Sequence, residues 1–457
     1  MTFPFTFRFD MNKTLKLIAG LMLGGFMGLT SARAQAVYAT PYTFVTIAGT
    51  ANTSSSGPVD GTNGAAQFGS PVALTVDTNG NLYVLDNLYN DIRKVSPQGT
   101  NWVVTTIAGS ASGGSGSNDG TNEDAQFYAP NAIARDAAGN LYVADGLNNT
   151  IRKITPLGTN WVVSTIAGNS QNGGGLDGTN TGAQFDDPSG IAVDSSGNLY
   201  VADTYGDSIR KVVHTGTNWV VTTIAGSFQG RGSNDGTNGA AQFFLPASIA
   251  VDGSDRLYVA DGNSTIREIV PQGTNWVVTT IAGSGGASTV VDGTNTDTVF
   301  NGPQGIALDA STNLYVADTG NSAIREVMPV GTNWVTTTLA GADDGTTGTN
   351  DGTGPLALFS NPYGVAVDGS GHLFVADTGN GTIREGFVAG VPNPTISLIG
   401  SSTVMVTWPG PGGTLQTNSN LSTANWGVYG GTINSSNGTN SVTLPASGGI
   451  LFFRLTQ

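Results

Sequence analysis

One sentence is written six times along this chain. Its third copy reads "GNLYVADTYGDSIRKV", residues 197–212. The Asp recurs as Asp86, Asp145, Asp203, Asp261, Asp318 and Asp377, at intervals of 57 to 59 residues. An Arg follows each time, as Arg93, Arg152, Arg210, Arg267, Arg325 and Arg384. Two further markers keep the same period. One is "GTNWVVTTIAG", with Trp102, Trp161, Trp219, Trp276 and Trp334; the other is the "DGTN…AQF..P" of residues 177–188. A period of this length means repeated supersecondary units that bury their faces against one another rather than around one ordinary core.

Each copy holds four short segments of strand character. In the third copy they are "GIAVD" (190–194), "LYVAD" (199–203), "IRKVV" (209–213) and "WVVTTIAG" (219–226). β-branched and aromatic residues fill them, and Gly, Asn, Asp and Pro stand between. The 67 glycines and the low charged fraction of 11% fit a chain of strands and tight turns. Four antiparallel strands per copy, six times over, predict an all-β fold, a six-bladed β-propeller. The last copy stops at "TIREGFV" (382–388) without its Trp strand, while an orphan "YTFVTIAG" (42–49) precedes the first. The expected closure pairs that N-terminal strand with the last blade, which removes a bare sheet edge.

The flanks read differently. Lys13 and Lys16 precede an apolar run at 17–29, and Ala32-x-Ala34 offers a small-residue cleavage site, so residues 1–34 are expected to be a signal peptide. Its removal takes four basic residues and one acidic one, moving the net charge from −15 to −18. So acidic a chain repels phosphate backbones, which argues against nucleic acid as a partner. No second apolar run of membrane length exists, so no stable membrane span is expected after cleavage. Export to the periplasm, cell surface or medium follows. The "VPNP" stretch reads as a linker at 389–394, and residues 395–457 as a small β-sandwich-like domain.

The pattern "P.GIAVD.SGNLYVADT.N..IRKV…VTTIAG" resembles the NHL repeat, in the teneurin-like variety, over residues 42–388. The resemblance implies a propeller scaffold and is nearly silent about activity, because such propellers serve as scaffolds, ligand binders and occasionally enzymes. The chain's own residues supply little catalytic chemistry. There is no cysteine, so no thiolate nucleophile or disulfide. His214 and His372 fall in turns of separate blades, and three of the four Glu beyond the signal (Glu268, Glu326, Glu385) occupy one repeated strand position. No catalytic residue, metal site or cofactor is assigned. The alternative is a metal-dependent lactonase, hydrolase or lyase with a site at the propeller axis.

The repeated Asp residues are expected to secure turns by accepting backbone N–H bonds. The "DGTN" Asp is read as an Asx turn, and the Arg-Lys/Arg-Glu position on the third strand as a solvated face. Recognition belongs where the copies differ. The residue after each inner-strand Pro is Val72, Asn131, Ser189, Ala247, Gln304 or Tyr363. Strand polarity places these on the face that carries the long Gly/Ser loops. The binding candidates are Asn131, Tyr205, Gln304, Tyr363, Tyr89, Phe228 and Arg231. The expected partner is a protein or a glycan, and the expected state a monomer.

Overall fold

The computed structural model describes residues 42–51, 57–110, 113–284 and 290–388, with backbone strands between 395 and 456. The signal peptide and the linker read from the sequence lie outside the described residues. Residues 42–388 form six antiparallel sheets, one per copy. In the third blade the inner strand is Pro188–Val193, the second Leu199–Asp203, the third Ser208–Thr215 and the fourth Asn218–Gly226. The fold is a six-bladed, all-β propeller.

Each blade has five strands rather than the expected four. The fifth is a two-residue piece of the "DGTN" motif, Gly178–Thr179 in the third blade, which pairs with Val221 and Val220 outside the fourth strand. Those four residues therefore do more than turn. The chain leaves one blade, hydrogen-bonds the outer edge of the next, and only then dives to its axis. The Trp strand is accordingly the fourth of five. Its outer edge is covered where an unpaired edge would invite association.

The ring closes as the ends of the array predict. Tyr42–Ala48 pairs antiparallel with Thr382–Val388, from Tyr42 opposite Val388 to Ala48 opposite Ile383. The local reason is a size exchange. In the other blades Val95, Ile154, Val212, Ile269 and Val327 face Val104, Val163, Val221, Val278 and Thr336. In the closing blade Gly386 faces Phe44. A Cβ on Gly386 would run into the Phe44 ring, so the small residue makes room for the large one. Phe44 is fully buried and meets Phe359 edge-on at 5.1 Å.

The core lies in the seams between blades. Tyr200, Ala202 and Ile209 of the third blade pack with Phe243, Ile249 and Leu257 of the fourth, and the other seams repeat the pattern. Each fully buried Ile, Leu or Phe among them contributes about 1.5–3 kcal/mol of burial. Each of the five repeat tryptophans reaches across a seam: Trp102 to Phe374, Trp161 to Tyr83, Trp219 to Tyr142, Trp276 to Tyr200 and Trp334 to Tyr258, all edge-to-face with centroids 5.6–6.1 Å apart. At the axis neighbouring inner strands touch. A Cβ on Gly364 would sit 2.7 Å from the Val72 carbonyl oxygen, and one on Gly305 would overlap that of Tyr363. The later strands form a four-stranded sheet, with Thr403–Pro409 and Thr439–Pro445 at its centre, and a three-stranded one around Thr414–Asn418. Among the described residues no helix is long and apolar enough to cross a membrane.

Candidate ligand site at the propeller axis

The repeated polar residues build a frame. Arg210 is fully buried, which corrects its reading as part of a solvated face. Its Nη1 donates to Asp203 Oδ2 at 2.7 Å and to the Gln184 carbonyl, and its Nη2 to Asp177 Oδ1 at 2.9 Å and to the Leu176 carbonyl. Its Cζ lies 5.2 Å from the Phe185 ring. A guanidinium survives such burial only because both Nη nitrogens are met by carboxylates and carbonyls, although its Nε–H finds no partner among the described residues. The "DGTN" Asp is thus one arm of an ion-paired clasp, not simply a turn former. The neighbouring Lys211 reaches instead over the Tyr200 and Trp276 rings.

Asp203 also positions the mouth of the site. Its Oδ1 accepts the Asp186 amide at 2.7 Å, in the segment just before the inner strand rather than in the turn that follows it. Asp145, Asp261, Asp318 and Asp377 do the same for Tyr128, Phe244, Asn301 and Ser360. Burial pushes the Asp203 carboxyl up to about 7, against the pull of Arg210. The residue between that anchor and the Pro is left-handed in most blades: Ala129, Asp187, Leu245 and Asn361 have φ of 46–51°. Such backbones cost free energy and persist only when braced. Here the preceding blade supplies the brace. Asn90 Oδ1 accepts the Ala129 amide, Asn149 Oδ1 that of Asp187 and Asp207 Oδ1 that of Leu245, at 2.7–3.1 Å.

This frame opens onto one axial cavity of about 980 Å³. All six residues that follow the inner-strand prolines line it: Val72, Asn131, Ser189, Ala247, Gln304 and Tyr363. Tyr205 joins them. The other candidates lie elsewhere. Tyr89 is buried, its ring against Gly69. Phe228 is partly exposed and packs on Gly175. Arg231 is held by Asp207 at 3.0 Å and lies over the Phe244 ring. Leu88, Tyr128, Leu147 and Phe244 are exposed on the turns and inner-strand approaches of this same face.

Sequence reasoning missed several lining residues. Asn87, Thr319 and Thr378 follow the Asp of "LYVAD", and Asp187 and Asn361 precede the inner-strand Pro. Both positions vary between copies, and that signal could have found them. Asn87 Nδ2 donates to Asn131 Oδ1 at 3.2 Å, and Asn131 Nδ2 to Asp187 Oδ1 at 2.9 Å and Ser189 Oγ at 3.2 Å. The ladder crosses the first three blades. Among the described residues the cavity lining contains no Lys, Arg, His or Glu, and Asp187 is its one carboxylate. Burial raises the Asp187 carboxyl, opposed by the hydrogen bond from Asn131. Among the described residues no cluster of three or more His, Asp or Glu is placed to hold a metal ion.

Comparison with known proteins agrees with this architecture. The teneurin NHL domain family matches residues 165–385. Protein SUPPRESSOR OF QUENCHING 1, chloroplastic, from Arabidopsis thaliana is 29% identical over 69% of this chain, which covers 30% of that protein. Teneurin-3 from Danio rerio is 29% identical over 69% of this chain and 12% of its own length. NHL repeat-containing protein 2 from Homo sapiens is 28% identical over 59% of this chain and 40% of its own. The chain thus spans well under half of each of these relatives. Among solved structures, an auxiliary nutrient binding protein from Bacteroides thetaiotaomicron superposes with a TM-score of 0.56 at 18% identity, covering 77% of both chains. A second, from Bacteroides ovatus, gives 0.55 at 16% identity over 76% of this chain and 77% of its own. The six repeats, their closure and these relatives together make the chain an NHL-repeat β-propeller.

Proposed function

We propose that the protein is an exported, non-catalytic scaffold that binds a protein or glycan ligand through the long-loop face of its propeller, with the axial cavity as the contact point. One observation carries this reading. The six positions that vary while their flanks repeat converge on a single cavity. Repetition accounts for the frame, because each wedge of the ring needs the same clasp. It does not account for six different side chains at one mouth, where a ligand would meet all of them. Export rests on the basic and apolar character of residues 1–34 and on the Ala-x-Ala ahead of residue 35. The name of the Bacteroides thetaiotaomicron protein that shares the fold, an auxiliary nutrient binding protein, is in keeping with a binding role. The test is a screen of purified chain against glycans and secreted proteins, beside a Gln304→Ala/Tyr363→Ala variant of unchanged melting temperature. Binding that disappears in the variant supports the reading. Binding that survives it places the contact elsewhere.

A further inference from the structure

The lining of the axial cavity selects one chemistry. With no Lys, Arg or His there among the described residues, a phosphate, sulfate or carboxylate ligand finds no counter-charge. A divalent cation asks for several anionic or carbonyl oxygens, and the only carboxylate, that of Asp187, already accepts from Asn131 on Oδ1. A lipophilic ligand would find aliphatic side chains such as Leu74, Ile133 and Ile249 in the lining, but it would also cover the amides and hydroxyls of Asn87, Asn131, Ser189, Gln304 and Thr378 without offering them polar partners. An extended peptide cannot add to the inner strands, since these already touch one another at Gly305 and Gly364. What remains is a neutral molecule rich in hydroxyls that also carries a flat C–H face.

Two aromatic rings supply the surface for that face. Tyr205 and Tyr363 line the cavity and are 47% and 37% exposed. They belong to the third and sixth blades, three places apart in a ring of six, so they stand on opposite walls. Neither is a repeated residue. The position of Tyr363 holds Val72, Asn131, Ser189, Ala247 and Gln304 in the other blades. Between the walls, on one side only, runs the ladder from Asn87 through Asn131 to Asp187, fixed by its own hydrogen bonds. The facing fourth blade presents Ala247. The fifth blade beside it offers Gln304 and Thr319, so the mouth is polar on both sides but carries the hydrogen-bonded ladder on one, which would orient a ligand whose two edges differ.

We propose that this cavity takes a neutral oligosaccharide, its sugar rings stacked on Tyr205 and Tyr363 and its hydroxyls bonded to Asn131 and Asp187. The inference rests on the reading of the axial cavity as the contact point and adds the ligand class. Ordered donors and acceptors bind at little entropic cost, and an amphipathic Tyr ring offers an apolar plane to a sugar's C–H face. Stacking of this kind needs no charge, which suits a strongly acidic protein.

The test is isothermal titration calorimetry of the full chain against neutral hexasaccharides (malto-, cello-, xylo- and chitohexaose) and against hexagalacturonate as the anionic control. At least one neutral probe is expected to bind while hexagalacturonate does not. Tyr205→Ala and Tyr363→Ala should each weaken it about tenfold, with the melting temperature unchanged. Tyr205→Phe should retain the affinity, and Asn131→Leu should weaken it. Failure of every neutral probe, binding of the anionic probe alone, or affinity indifferent to both Tyr→Ala variants would overturn the inference. A panel of purified secreted proteins run in parallel separates the two levels. A protein bound by the chain and lost in the Tyr→Ala variants removes the saccharide but keeps the contact point. No binding in either panel removes both.

Discussion

The buried Arg is the hinge of the residue scale. In five blades its guanidinium joins two carboxylates, one sealed and one about half exposed or less, with Asp203 and Asp177 as the example. Removing the sealed partner strands a buried charge. Asp203→Ala should destabilise the protein by about 3–5 kcal/mol, whereas Asp177→Ala should cost about 1 kcal/mol or less; urea unfolding reads both. The first blade departs from the scheme. Asp91 stands opposite Asp86 where the other blades carry Thr150, Ser208, Thr265, Ala323 and Thr382. It is fully buried, neither oxygen accepts a hydrogen bond from the described residues, and Arg93 Nε is 4.0 Å away. Burial lifts its carboxyl well above the usual range. Asp91→Thr should therefore stabilise the protein, by about 1–3 kcal/mol, as a rise in the urea midpoint at pH 7. A fall would mean that this carboxylate has a partner.

At the scale of elements, the period, the strands and the closing partner were legible, because each rests on a local signal that repeats. The fifth strand was not. Two residues of backbone pairing leave no hydrophobic alternation, and "DGTN" has the composition of a turn. The buried Arg was hidden for a related reason. Charge alternation at Lys211 and Glu268 speaks for a half-exposed strand, while the fate of the preceding Arg depends on carbonyls and carboxylates some 25 to 34 residues away. For the site, the variable position after each Pro was readable and the hydrogen-bond ladder was not, since it links three blades. The tryptophans illustrate the element's own energetics. Trp276→Ala removes an edge-to-face partner of Tyr200 and a contact of the Lys211 ammonium. It should cost about 2–4 kcal/mol in urea unfolding without altering ligand binding, because Trp276 lies outside the cavity lining. A loss of binding at full stability would give that strand a role it lacks here.

At the scale of the whole molecule, acidity and closure decide behaviour. Burial raises Asp203 to about 7 and Asp261 to about 6, above the ordinary carboxylate value. A raised carboxyl favours the folded state below its unfolded pKa and loses that advantage as pH climbs through the folded one. The hydrogen bond that His372 donates to the Glu385 carboxylate also raises its imidazole, whose contribution fades as pH climbs through that raised value. With a net charge of −15 adding self-repulsion, the melting temperature should be higher at pH 5 than at pH 8. Calorimetry at the two values tests it; the reverse order would contradict the account.

The ring itself depends on the first strand reaching the last blade, and Phe44 opposite Gly386 is its signature. A double-mutant cycle in urea addresses it directly. Phe44→Val should destabilise by leaving a cavity and Gly386→Val by overpacking, each by about 1–3 kcal/mol. The pair together recreates the Val–Val contact of Val212 with Val221. The double variant should recover most of the lost stability, a coupling of more than about 1 kcal/mol. Strictly additive losses would show that these residues do not meet and that the propeller is closed some other way.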